Sequence, residues 1–156
     1  MRDAGCWGQG QGIRNLSSFP NSFSRERTMT DAPKIRNYRD LAVWQHGMDI
    51  VLAIYKVTKQ FPDDERFGLT SQLRRAAVSV PANIAEGHAR SSTKDYLRHI
   101  SIAIGSLAET ATFIELAGRL NYGNIGELRK IFEMTNEERR MLRALQKSLR
   151  RRLPPP

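Results

Sequence analysis

The chemistry on offer in this chain of 156 residues lies in how its arginines, lysines and small polar side chains are spaced. The clearest concentration of charge is near the C-terminus. Arg129, Lys130, Arg139, Arg140, Arg143, Lys147, Arg150, Arg151 and Arg152 outnumber Glu127, Glu133, Glu137 and Glu138 by nine to four, which places +5 of the total +9 there. Arg139, Arg143, Lys147 and Arg150 recur about once per helical turn, a stripe of the kind that follows a phosphate backbone. Arg151, Arg129 and Lys130 extend it. The alternative is a solvated outer face, ordinary in helical bundles. No aromatic residue interleaves with the stripe, so binding through it would be driven by phosphates and carry little sequence information.

A second constellation is polar but mostly uncharged. Gln72, Arg75, Ser79, Asn83 and Glu86 fall at steps of three and four on one side of a segment otherwise made of small and apolar residues, and Ser106 and Glu109 lie one turn apart further on. These groups either hydrogen-bond one another inside the fold or across a subunit contact, or they read a ligand; buried polar groups have to be mutually satisfied. An ionic contact between Glu109 and Arg74 or Arg75 is expected. Asp95 and His99, four residues apart, suit an i,i+4 hydrogen bond better than half of a metal site. His46 and His88 have no acidic neighbour at a useful spacing, and no Glu-x-x-His occurs, so a di-iron carboxylate site lacks its ligands. A nucleophile with its base cannot be assembled. Gly8, Gly10 and Gly12 alternate with glutamine, but they follow no strand and precede no helix, the context that gives glycine loops their affinity for phosphate. The expectation is a protein that catalyses nothing and needs no cofactor.

Hydrophobic spacing says which elements must carry these residues. Leu41, Trp44, Met48, Val51 and Tyr55 repeat at three and four, flanked by a second seam of Val43, Gly47, Ile50, Ile54 and Val57, which predicts a helix from near Asp40 to about Gln60. Pro62 and the aspartates after it end that helix. A second helix is expected over about Leu69 to Glu86, with Leu73, Ala76, Val80 and Ile84 inward, a kink at Pro81, and Gly87 as a left-handed cap. Ser92 opens a third, which runs to about Leu120 with Tyr96, Ile100, Ala103, Leu107, Thr110, Ile114 and Ala117 on one seam. Leu97, Ile104, Ala108 and Ala111 form a second seam, and Ile102, Phe113 and Leu116 add apolar surface elsewhere, more than one core needs. Self-association through this region is the expected use of that surplus. After the turn Asn121 to Asn124, a fourth helix spans about Ile125 to Arg151, with Leu128, Ile131, Phe132, Leu142, Leu145 and Leu149 as its apolar positions. No run alternates as a strand does. The expected fold is all-α: an antiparallel up-down-up-down four-helix bundle over residues 38–152, preceded by a disordered tail, 1–37, and followed by a Pro-rich end, 153–156. Met29, just ahead of the ordered pattern, is a candidate for the true start.

The bulk numbers agree with one domain. A chain of 156 residues with 40% hydrophobic content fills a single modest core. Its 25 Lys plus Arg against 16 Asp plus Glu should attract polyanions. The one cysteine, Cys6, excludes an intrachain disulfide and suits a reducing cytoplasm. The longest nearly apolar run, residues 100–108, is far short of the roughly 20 residues needed to cross a bilayer, so no membrane partner is expected.

With these segments in place, the chain resembles the 23S rRNA-intervening sequence proteins. The resemblance covers about Tyr38 to Leu149. It rests on Leu41-Ala-Val-Trp44, Phe61-Pro62, Glu65-Arg66-Phe67-Gly68-Leu69, Gln72-Leu-Arg-Arg75-Ala, Ser79-Val-Pro81-Ala-Asn83-Ile-Ala-Glu86-Gly87 and Gly105-Ser106-Leu107-Ala108-Glu109. It implies a bundle that assembles into a homopentamer and no enzymatic activity. Related accessory proteins of diversity-generating retroelements imply RNA or DNA, and a reverse transcriptase, as partners. Two positions depart from the pattern: Ala89, where glycine is common before Arg90, and Gly47, where alanine is usual. The functional expectation is a basic oligomer that binds nucleic acid; the alternative is a scaffold or accessory subunit for proteins, with the basic face serving solubility.

Overall fold

The computed structural model describes residues 35–153. The expected tail, the Met29 start and the three terminal prolines lie outside them, apart from residues 35–37, of which Asn37 caps the first turn. Four helices follow: α1, Ala42–Val57; α2, Leu69–Ala89; α3, Thr93–Arg119; and α4, Ile125–Arg150. Short 3-10 turns at Tyr38–Asp40, Thr58–Gln60 and Asp63–Arg66 frame α1 and the link to α2. The Asn37 side chain accepts from the Arg39 amide while the Asp40 carboxylate accepts from the Arg36 and Asn37 amides, so the chain enters α1 at a fixed angle.

Each helix packs on its sequence neighbours, and α4 returns to α1, closing a four-membered ring of contacts. Paired residues give the direction. Ser79 meets Ser106 and Asn83 meets His99, so α3 climbs as α2 descends; His46 meets Glu138 and Lys56 meets Glu127, so α4 runs against α1. Ser101 meets Gln146 while Gly118 lies beside Ile125 at the other end, so α4 is antiparallel to α3. This is the up-down-up-down bundle.

Burial follows the heptads. On α3 all of Ile100, Ala103, Leu107, Thr110, Ile114 and Ala117 are inside. On α1 the flanking seam is the deeper one: Val43, Gly47, Ile50, Ile54 and Val57 are buried, whereas Tyr55 is 43% exposed and Trp44 and Met48 are half-buried. The smaller side chains let α1 settle close to α2, where Pro81 lies in contact range of Gly47. By its length and composition α3 could cross a membrane: an 18-residue window has a mean hydropathy of 1.4, with a third of it buried. Its unburied apolar surface includes Ile102 and Leu116.

Gly87 is not a helix cap. Its φ is not positive, α2 continues to Ala89, and Arg90 is the residue that turns extended. A Cβ on Gly87 would lie 2.7 Å from Tyr96 and 2.8 Å from the Cβ of His99, so the glycine is there to let α3 approach. Left-handed backbone occurs instead at Asn121 and Gly123, in the turn before α4.

Candidate nucleic-acid interface

The buried positions of α4 are Leu128, Ile131, Thr135, Glu138, Leu142, Gln146 and Leu149. Their spacing of three and four turns one edge of the helix inward and leaves Arg139, Arg140, Arg143, Lys147, Arg150 and Arg151 exposed on the other. Arg139 to Arg150 spans about 16 Å of helix, one cation per turn. Arg139 donates to Asn136 Oδ1 at 2.7 Å and Arg143 to Gln146 Oε1 at 3.1 Å, both neutral acceptors. Among the described residues no basic side chain of α4 forms an ion pair with a carboxylate, so the stripe presents its charge to solvent. Lys147 and Arg150 also sit in the last turn, where cations oppose the negative end of the helix dipole.

Arg129 and Lys130 do not join that patch. They lie about 15 Å along the helix from Arg139. At about 100° per residue Arg129 falls on the side of Lys147, whereas Lys130 falls opposite, beside Lys56, Glu127 and Met134. Glu127 there accepts from Lys56 and Gln60, which hold its carboxyl below the usual range.

Two buried polar contacts fix the rotation of α4 and hence the aim of the stripe. Gln146 donates to Ser101 of α3 at 3.0 Å. Glu138, with a fully buried side chain, meets His46 Nδ1 of α1 at 2.9 Å through Oε2, while Oε1 has no partner. Burial pushes its carboxyl up to about 7, against the opposing pull of His46, and Glu137 nearby adds to the rise. Glu138 therefore does not belong with the surface carboxylates, and His46 does have acidic neighbours: Glu137 also stands 3.7 Å from its Nε2. Helix spacing alone hid them because both come from a different helix. The signal that finds Glu138 is its place in the inward series, between Thr135 and Leu142.

The polar stripe on α2 is brought together in part. Ser79 and Ser106 hydroxyls lie 2.9 Å apart, Asn83 donates to Ser79, and its Oδ1 lies 3.3 Å from His99. Glu86 pairs with Arg90 and stands 3.7 Å from His99. Here His99 turns across to α2, so the expected bond to Asp95 does not form; the Asp95 amide instead donates to Ser92. Nor does Glu109 meet Arg74 or Arg75. Glu109 is exposed, and Arg74 spends its Nε on Thr58 and its guanidinium on the face of Tyr55. The network is a short relay of hydroxyl, amide and imidazole between two helices, matching the mutual satisfaction that buried polar groups need. Among the described residues no three of His, Cys, Asp and Glu gather as a metal site.

Comparison with known proteins adds to this geometry. The family described as 23S rRNA-intervening sequence protein matches residues 39–144, more than half of the chain. The crystal structure of a protein of unknown function from the S23 ribosomal protein family of Bacteroides thetaiotaomicron is similar, with a TM-score of 0.62 and 24% identity over 67% of this chain and 95% of that one. At that identity the likeness bears on the fold. No curated protein matches.

Proposed function

Since the chain belongs to the 23S rRNA-intervening sequence protein family, we propose that it is a non-catalytic, homo-oligomeric, cytoplasmic bundle that binds RNA or DNA mainly through phosphates. One observation carries the reading: Arg139, Arg140, Arg143, Lys147 and Arg150 are exposed together, and none is neutralised by a carboxylate. A row of unpaired cations has a standing electrostatic affinity for a polyanion, paid for by counterion release. Assembly would repeat the row on every subunit and convert a modest site into a strong one. The unburied apolar surface of α3 supplies the material for such assembly.

The test is a salt titration of binding to fluorescent oligonucleotides. Four phosphate contacts give a slope of about −3 for single strands, so affinity should fall roughly 50-fold between 50 and 200 mM salt. Replacing Arg139, Arg143, Lys147 and Arg150 with Gln should flatten that slope. Retention of tight, salt-insensitive binding by the quadruple variant would overturn the proposal.

A second reading, a scaffold whose partner is a protein such as a reverse transcriptase, is favoured by exposed Leu116, Leu120 and Ile125 where α3 meets α4. A largely apolar groove there, lined by Ile114, Gly118, Ile125, Leu128 and Phe132, also takes in Glu115, Arg119 and Arg129. Association through it should hardly respond to salt, which separates it from the first reading.

A further inference from the structure

The stripe on α4 has no aromatic companion, but a different face of the bundle does. Where α1 passes into α2, an open cleft of about 580 Å3 is lined by Tyr55, Arg66, Phe67, Ser71, Arg74 and Arg75, among others, and by no carboxylate. Phe67 is 87% exposed, the most solvent-facing large apolar side chain among the described residues. It is not loose. The Asp63–Arg66 turn precedes it, and Glu65 Oε2 accepts from the Leu69 amide at 2.7 Å just after it, so the backbone on either side of the ring is tied to the start of α2. Arg66 lies over one ring, 5.5 Å from the centroid of Phe67, and Arg74 over the other, 4.8 Å from that of Tyr55. Arg74 is anchored by its Nε to Thr58 Oγ1, which in turn donates to the Ile54 carbonyl. None of the three arginines forms an ion pair among the described residues.

We infer that this cleft is a stacking site for unpaired nucleobases of single-stranded nucleic acid, with Tyr55 and Phe67 as platforms and Arg66, Arg74 and Arg75 holding the flanking phosphates; it rests on the nucleic-acid reading above. Two exposed rings beside uncompensated guanidinium groups are the recognition chemistry of single strands, in which any base offers a flat face and the backbone offers the charge. A duplex keeps its bases stacked and hides those faces. An apolar helix of a protein fits less well, because it would bury three cations with no counter-charge. The glutamate nearest in sequence, Glu65, is committed to the Leu69 amide and to Tyr122.

The test uses the full chain and three probes: a single-stranded 12-mer, an abasic strand of equal length, and a duplex of the same sequence. The double variant Tyr55→Ala, Phe67→Ala should bind the intact single strand at least tenfold more weakly, with the abasic strand and the duplex unchanged. Phe67→Ala alone, at a side chain almost wholly in water, separates loss of stacking from loss of fold, and ultraviolet crosslinking of the intact strand should mark Phe67 or Tyr55. Unchanged binding of the intact strand by the double variant overturns the cleft but leaves the α4 stripe standing, provided the quadruple Gln variant loses affinity. Failure of the native chain to bind any probe at low salt overturns both. A change in oligomeric mass in Phe67→Ala, with binding intact, would show that a second copy covers the cleft and would overturn the inference.

Discussion

Replacing Glu138 with Gln should abolish a pH dependence of stability that the native chain carries near neutrality. In the folded chain the carboxyl ionises at about 7, against an ordinary value of 4.5, because burial disfavours its charged form. Between those values the folded state holds a proton that the unfolded state has released, so stability falls as pH rises. The contribution is fully present below about pH 4.5, declines through the interval, and is gone above about 7. At about 1.4 kcal/mol per unit the whole interval is worth roughly 3 kcal/mol. The carboxylates with lowered values, Asp40 and Glu127, act in the opposite sense, but only in acid, below the range from pH 5.5 to 7.5. His46 faces it at 2.9 Å, and Glu137 lies 3.7 Å from the other ring nitrogen of that histidine. Urea unfolding followed by circular dichroism, at fixed protein concentration, should show the native midpoint dropping by about 1 M over those two pH units, for a urea dependence near 2 kcal/mol per molar. Glu138→Gln should show a nearly flat profile, and Glu138→Leu should be at least as stable as the native chain at pH 8, because it removes a buried acceptor that Oε1 leaves unpartnered. An equal slope in the native chain and the Gln variant would refute the assignment of that proton to Glu138.

Other expectations follow from single contacts. Gly87→Ala should destabilise the bundle by about 1–3 kcal/mol, read as a fall in Tm, since its Cβ would lie 2.7 Å from Tyr96 and 2.8 Å from the Cβ of His99. Gly47→Ala should do the reverse: the added methyl meets Pro81 and Glu138 at ordinary distances of 3.7 and 3.8 Å and relieves a mid-helix glycine, a gain of about 0.5–1 kcal/mol by chemical unfolding. Glu65→Ala should cost about 1 kcal/mol in the same assay, because it strips the side-chain acceptor from the Leu69 amide at the start of α2.

The four helices and the inward seam of α3 were legible because a repeat of three and four survives any detail of packing; Ile100, Ala103, Leu107, Thr110, Ile114 and Ala117 are buried as their spacing requires. What spacing leaves open is a choice between neighbours. On α1 two adjacent seams were expected to make one wide apolar face, yet the seam holding Gly47 lies deeper, since close approach to Pro81 favours small side chains over apolar area. Gly87 was misread for a related reason: a glycine near a helix end fits a left-handed cap by sequence, and only the partner helix carrying Tyr96 and His99 reveals the close contact. The expected Glu109 ion pair failed because Arg74 had nearer partners, Thr58 and Tyr55, in the preceding helix.

Glu138 joins the core to the proposed function. Counted by charge it belonged to the outer face and diluted the basic stripe; by its heptad position it points inward. With Glu138 inside and Glu127 tied to Lys56, the carboxylates of α4 itself left to offset its cations are Glu133 and Glu137, both exposed, the second of them 3.7 Å from His46. The stripe is accordingly more positive than the sequence count suggested. The contacts of Glu138 to α1 and of Gln146 to α3 grip the helix from both sides, so it cannot turn about its axis without abandoning a buried polar group. Apolar side chains alone would tolerate such a rotation better, since Leu and Ile pack without directional bonds. The outward aim of Arg139, Arg143, Lys147 and Arg150 is therefore set by the polar residues that face the other way.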